Sequence, residues 1–196
     1  MDINERIARR ISDLRKDRGF TLDALAERSG VSRSMISLIE RGQSSPTAVV
    51  LDKLASGLAV TLATLFEDEA RGAIASPMSR HADQSTWKDP QSGYVRRNLS
   101  PPGVASPIQL VDVVFPPGKR VSYDAAVRDA QIQQQVWMLA GAMEVTLGSA
   151  VWRLEAGDCL AMQLGQPVVY RNPGRTSAHY LVALTTTPLN QNRRNG

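Results

Sequence analysis

The chain has 196 residues, enough for one large domain or two small ones, and a net charge of +4 that permits nucleic-acid binding without demonstrating it. A single cysteine, Cys159, excludes an internal disulfide, and the start MDINERIARR lacks the apolar core of a signal peptide. No apolar run approaches the roughly 20 residues of a membrane span, so the expected location is cytoplasmic.

The first 66 residues carry apolar positions at helical spacing. Ile3, Ile7, Ile11 and Leu14 recur through NERIARRISDLRKDRG, with arginines around the rest and Gly19 as a stop. Thr21 can cap a second helix, LDALAERS, with Leu22, Leu25 and Ala26 inward. Gly30 offers the positive φ of a sharp turn, and Ser32 can cap a third helix immediately after it. There Ile36 and Ile39 point to the core, while Arg33, Ser34, Ser37 and Arg41 stay outside. After IERG, Ser45 is expected to cap a fourth helix opened by Pro46, and Thr61 a fifth containing Leu62, Leu65 and Phe66. Small Ala26, Gly30, Val31 and Ile36 suit two helices crossing closely through a short turn. Charge alone does not decide the function of this half, because residues 1–66 hold ten Lys/Arg against eight Asp/Glu.

The pattern from Thr21 to Gly42, closing on IERG, resembles the Xre/Cro/C1 type of helix-turn-helix over about residues 5–66. That resemblance implies a five-helix bundle binding double-stranded DNA. Arg33, Ser34 and Ser37 would face base edges, Arg33 toward guanine, and Leu38 a thymine methyl. Thr21, Leu22, Ser32, Arg41 and Ser44 complete the expected surface, with Thr21, Arg41 and Ser44 set for phosphates. Leu22 stands where the family often carries a polar residue. The resemblance also implies a structural pair between Arg15 and Glu40. A bundle serving only as a protein-interaction module is the alternative reading of this half.

EDEARGAIASPMSRHADQSTWKDPQS is polar, has two prolines and lacks sustained periodicity, so it reads as a linker in which Trp87 can dock on the second domain. From about residue 94, apolar runs alternate with Pro and Gly turns: YVRRNL, IQLVDVVF, QVWMLA, AMEVTL, AVWRL, CLAM, VVY and HYLVAL. Short strands at this spacing argue for an antiparallel sandwich or barrel, with AMEVTL-GS-AVWRL as its clearest hairpin.

PPGK, WMLAGAMEV, LEAGDCLAM and QPVVYRNPG resemble the cupin fold over about residues 93–188. Cupins commonly hold a metal through two histidines and a glutamate early in the barrel and a third histidine in the second motif. Here no histidine lies between Lys119 and Gln133, Gln134 stands in place of the glutamate, and Val168 replaces the last histidine. The expectation is a barrel with no metal and no cofactor. His81 and His179 each stand alone, and Cys159 reads as a small buried apolar side chain. Strand alternation groups Gln134, Val136 and Met138 on one side, and Val168 with Tyr170; Met143 and Met162 would also fill the barrel. Together these seven form the expected effector pocket, suited to a small organic molecule.

The fold class expected is therefore multidomain α + β: a helix-turn-helix domain over 1–68, a linker over 69–92, a cupin-like jelly roll over 93–188 and a flexible tail over 189–196. The function expected is that of a dimeric, sequence-specific transcriptional regulator answering to a small effector, with no catalytic residues. The alternative is a cupin enzyme, an isomerase or oxygenase, carrying a helical domain; it requires bound metal.

Overall fold

A computed structural model describes residues 2–66, 76–125 and 130–188. The helical half contains α1 (Ile3–Asp17), α2 (Leu22–Ser29), α3 (Arg33–Glu40) and α4 (Ala48–Gly57), followed by a 3-10 turn at Ala63–Phe66. Ile7, Ile11, Leu25, Ile36, Leu51 and Leu54 are wholly withdrawn from solvent between the helices, each burial stabilising by roughly 1.5–3 kcal/mol. Thr21 accepts a hydrogen bond from Ala24 N–H at 3.1 Å and Ser32 one from Met35 N–H at 3.3 Å, so both expected caps are made. Between these helices Gly30 adopts φ +67°, the left-handed conformation that the turn requires. Glu40 at the end of α3 takes both Nε and an Nη of Arg15 at 2.6 and 2.7 Å, tying α3 to α1 as expected.

Two local expectations fail. Helix α4 begins two residues later than Ser45 and Pro46 suggest, because the Thr47 hydroxyl captures Val50 N–H at 3.3 Å. Buried Pro46 instead precedes the cap, at the position from which a hydrophobic staple packs on the first turn. Thr61 does accept from Thr64 N–H, at 3.1 Å, but the segment that follows makes only the 3-10 turn, so the described bundle has four α-helices.

The second half is an antiparallel double-sheet barrel. Its strands are β1 (Thr86–Lys88), β2 (Val95–Asn98), β3 (Ile108–Phe115), β4 (Arg120–Tyr123), β5 (Ala130–Ala140), β6 (Ala142–Leu147), β7 (Ala150–Glu155), β8 (Cys159–Leu164), β9 (Val168–Arg171) and β10 (Ala178–Pro188). One sheet runs β1-β2-β3-β10-β5-β8 and the other β4-β9-β6-β7. The expected hairpin is present as β6 and β7, with Leu147 opposite Ala150. Inward residues alternate along each strand; Val136, Met138, Met143 and Val145 are fully buried.

Part of the stretch read as a linker is structured. β1 pairs with β2, placing Trp87 opposite Arg96, and Trp87 is buried edge-on between Phe66 and Tyr94, with ring centroids 5.4 and 5.9 Å away. Tyr94 stacks in turn on Phe115 at 5.6 Å. This aromatic chain seats the helical module on the barrel. Cys159 is exposed rather than buried, because the alternation that turns Met162 inward turns Cys159 outward, where its thiol lies 3.9 Å from Gln135 Oε1. The expected tail over 189–196 lies outside the described residues.

Candidate DNA-reading surface and the cavity at the domain junction

Capping by Ser32 launches α3 directly from the Gly30 turn, so the helix carries a buried stripe of Ile36 and Ile39 and an outward face of Arg33, Ser34, Met35, Ser37 and Leu38. Ser37 is half-buried; Leu38 and Met35 keep 36% and 37% of their surface exposed, which leaves apolar side chains on the face that would meet DNA. Arg33 is held by Asp23 of α2 at 3.2 Å, both side chains being largely solvated. Arg41 bends back to donate from Nε to the Ser37 carbonyl at 3.1 Å. The Ser44 hydroxyl lies 3.8 Å from Met35 Sδ, Thr21 is exposed at the start of α2, and Leu22 is half-buried against the core. Arg33, Ser34, Ser37 and Leu38 thus share the outward side of α3, with Ser44 beside it. Met35, passed over in the sequence, belongs with them.

A cavity of about 120 Å³ opens where the helical module meets the barrel. Asp52 of α4 and Thr61–Ala63 contribute from the module, and strand residues from both sheets complete the wall. Of the seven residues expected to line a pocket, Gln134, Val168 and Tyr170 do so. Val136, Met138, Met143 and Met162 do not: they are buried within the barrel, so the open space lies toward the helical domain.

The Gln134 amide donates to Tyr170 Oη at 2.7 Å, and that hydroxyl approaches Met162 Sδ at 3.9 Å. No grouping of three or more His, Cys, Asp or Glu side chains suited to a metal occurs among the described residues. His179 instead contacts Asp112 at 2.6 Å, Asp112 also takes Arg97 at 2.9 Å, and Arg97 reaches His81; this cluster lies apart from the cavity wall.

The phenols of Tyr94 and Tyr123 lie 3.3 Å apart at the cavity. Burial pushes their pKa values up, together with those of Tyr170 and Tyr180, so all four are neutral donors at ordinary pH. Burial acts in the opposite direction on Arg96, drawing its guanidinium below the usual arginine range, while the surrounding tyrosines partly oppose that shift. Sequence reasoning missed Tyr94, Arg96, Tyr123 and Tyr180. The one signal available was alternation within YVRRNL, which sends Tyr94 and Arg96 to the same side.

Residues 11–65 match the helix-turn-helix family model. The HTH-type transcriptional regulator SutR of Escherichia coli (strain K12) is 27% identical over 170 residues, covering 87% of this chain and 89% of that protein. The uncharacterized HTH-type transcriptional regulator y4dJ of Sinorhizobium fredii is 34% identical over 61 residues, 31% of this chain and 79% of that protein. Among solved structures, an HTH_3 family transcriptional regulator from Vibrio cholerae superposes with a TM-score of 0.73 at 25% identity, covering 93% of this chain and 96% of that one.

Proposed function

Because the chain belongs to the helix-turn-helix family of transcriptional regulators, we propose that it couples sequence-specific DNA binding by α3 to a small organic effector held at the junction of its two domains. Arg33, Ser34, Ser37 and Leu38 read bases in the major groove, Thr21, Arg41 and Ser44 set the register against the phosphates, and Leu22 and Ser32 lie beside them at the helix starts. Two copies occupy two half-sites. The exposed Trp137 and Leu139 on the outer face of the six-stranded sheet are the surface we assign to pairing of those copies.

The observation that carries this reading is the make-up of the cavity wall. Asp52, Thr61, Leu62 and Ala63 move with the DNA-reading module, whereas Tyr94, Tyr123, Gln134 and Tyr170 belong to the barrel. A ligand touching both has a different affinity for each relative arrangement of the two, and only such a difference can alter DNA binding. We read the barrel as a sensor without metal and without catalysis: the cupin resemblance would set Gln134 and Val168 where metal ligands stand, and the Gln134 amide donates to Tyr170.

Selection of bound duplexes from a random pool supplies the operator, and its Kd is then compared between the wild type and Leu164→Phe, which fills the cavity from its wall. Coupling predicts a change of about fivefold or more, the lower range of typical allosteric coupling. An unchanged Kd with the fold intact would separate the cavity from DNA binding.

A further inference from the structure

We propose that the junction cavity is a carboxylate site, taking a small monoanionic organic acid whose carboxylate pairs with Arg96 and whose apolar body fills the space beside it. This inference rests on the effector reading above and adds the chemistry of the ligand.

Arg96 keeps only 7% of its surface exposed, yet its Nε has no hydrogen-bond partner among the described residues. Its guanidinium sits 4.5 Å over the Phe66 ring, a contact that offsets part of the desolvation, and its polar neighbour in the wall is the neutral Tyr94 phenol rather than a carboxylate. The neighbouring Arg97 shows what a paired arginine looks like on this strand: it points to the other side of the sheet and meets Asp112 at 2.9 Å. Buried charges are ordinarily paired, so an arginine in a cavity wall without a carboxylate is completed by one that arrives from outside.

The remaining wall narrows the ligand. Tyr94 and Tyr123 place protonated phenols close to Arg96, which suits the second carboxylate oxygen. Asp52 and Asp124 also line the cavity; Asp124 is paired with Lys53 at 3.3 Å, and Asp52 is itself partnered. Two resident carboxylates against one arginine disfavour a dianion such as phosphate. Val111, Val121, Ile132, Leu164, Val182 and Leu184 supply apolar wall. The volume of about 120 Å³ is comparable with the roughly 150 Å³ of an engineered cavity that binds benzene.

The test uses the full chain with benzoate and isovalerate, their amides benzamide and isovaleramide, and inorganic phosphate, read by thermal unfolding and calorimetry. At least one acid is expected to raise the Tm, whereas its amide and phosphate do not; both Arg96→Met and Leu164→Phe abolish the shift. In the ligand-free protein Arg96→Met is expected to raise the Tm, because an apolar side chain of similar length replaces a buried charge that has no carboxylate partner. A lower Tm would give Arg96 a structural role and overturn the proposal. A shift produced by phosphate would overturn it as well. Equal shifts from acid and amide, lost in Leu164→Phe, would overturn the carboxylate assignment and leave the effector reading standing. No shift from any probe, with operator binding intact, would overturn both.

Discussion

The carboxylate of Asp89, in the turn between β1 and β2, accepts a hydrogen bond at 2.9 Å from the backbone N–H of Ala48, the first residue of α4. Its other oxygen takes the Ser92 N–H at 2.7 Å and the Ser92 hydroxyl, so the carboxylate is fixed on the barrel side while it satisfies a helix N-terminus on the DNA-reading side. The helix held in this way also carries Asp52 into the cavity wall. Asp89 is only 2% exposed, which strengthens the bond and raises the cost of losing it.

Asp89→Ala leaves the buried Ala48 and Ser92 donors without their acceptor and is expected to cost about 2 kcal/mol. Urea unfolding measures that loss. A filled cavity in the same variant should alter operator affinity less than it does in the wild type, because the seat through which α4 follows the barrel is weakened.

Glu40→Leu removes the bidentate partner of Arg15, whose side chain is only 13% exposed. An uncompensated, largely buried guanidinium is expected to cost about 3 kcal/mol, read as a fall in the midpoint of chemical unfolding. Operator affinity of the folded fraction should change little, since Glu40 holds α3 against α1 and does not face outward. The hydrogen bond from Arg15 to Glu40 raises the guanidinium pKa further, so this loss does not vary over the ordinary pH range.

Buried Tyr94, Tyr170 and Tyr180 and half-buried Tyr123 have folded-state pKa values raised above the ordinary 10.0, chiefly by desolvation. For an acid whose folded pKa is raised, the associated stability is fully present below the unfolded value and is lost as pH rises through and beyond it. Stability should therefore fall above about pH 10, and tyrosinate absorbance should appear together with unfolding. Ionisation of all four phenols in a protein still folded would contradict the burial described.

What was legible in the sequence was local or periodic. Thr21, Gly30 and Ser32 act within a few residues of themselves, and the apolar stripes of α1 to α3 and the β6–β7 hairpin needed no tertiary information. Thr47 displaced Ser45 as a cap because two hydroxyl residues flank Pro46, and only the path of the chain decides which one meets an N–H. Cys159 belongs to a residue type that is usually buried, but counting alternation back from Met162 places it outside. Arg96 was invisible for a physical reason: a charged residue on a short strand reads as solvent-facing, and its burial depends on Phe66 arriving from the other domain. The cavity has the same origin, since Thr61–Ala63 and Tyr123 are far apart in sequence and meet only in the assembled chain.

The central claim, that α3 reads DNA sequence, is tested most directly by the affinity of Arg33→Ala for the selected operator and for a scrambled duplex at one salt concentration. Arg33 makes only a solvated pair with Asp23, so the substitution should leave stability nearly unchanged. The expected result is a loss of about 1–3 kcal/mol on the operator with little change on the scrambled duplex. An equal loss on both would show that Arg33 meets only the phosphate backbone, and no loss on either would remove α3 from the DNA interface.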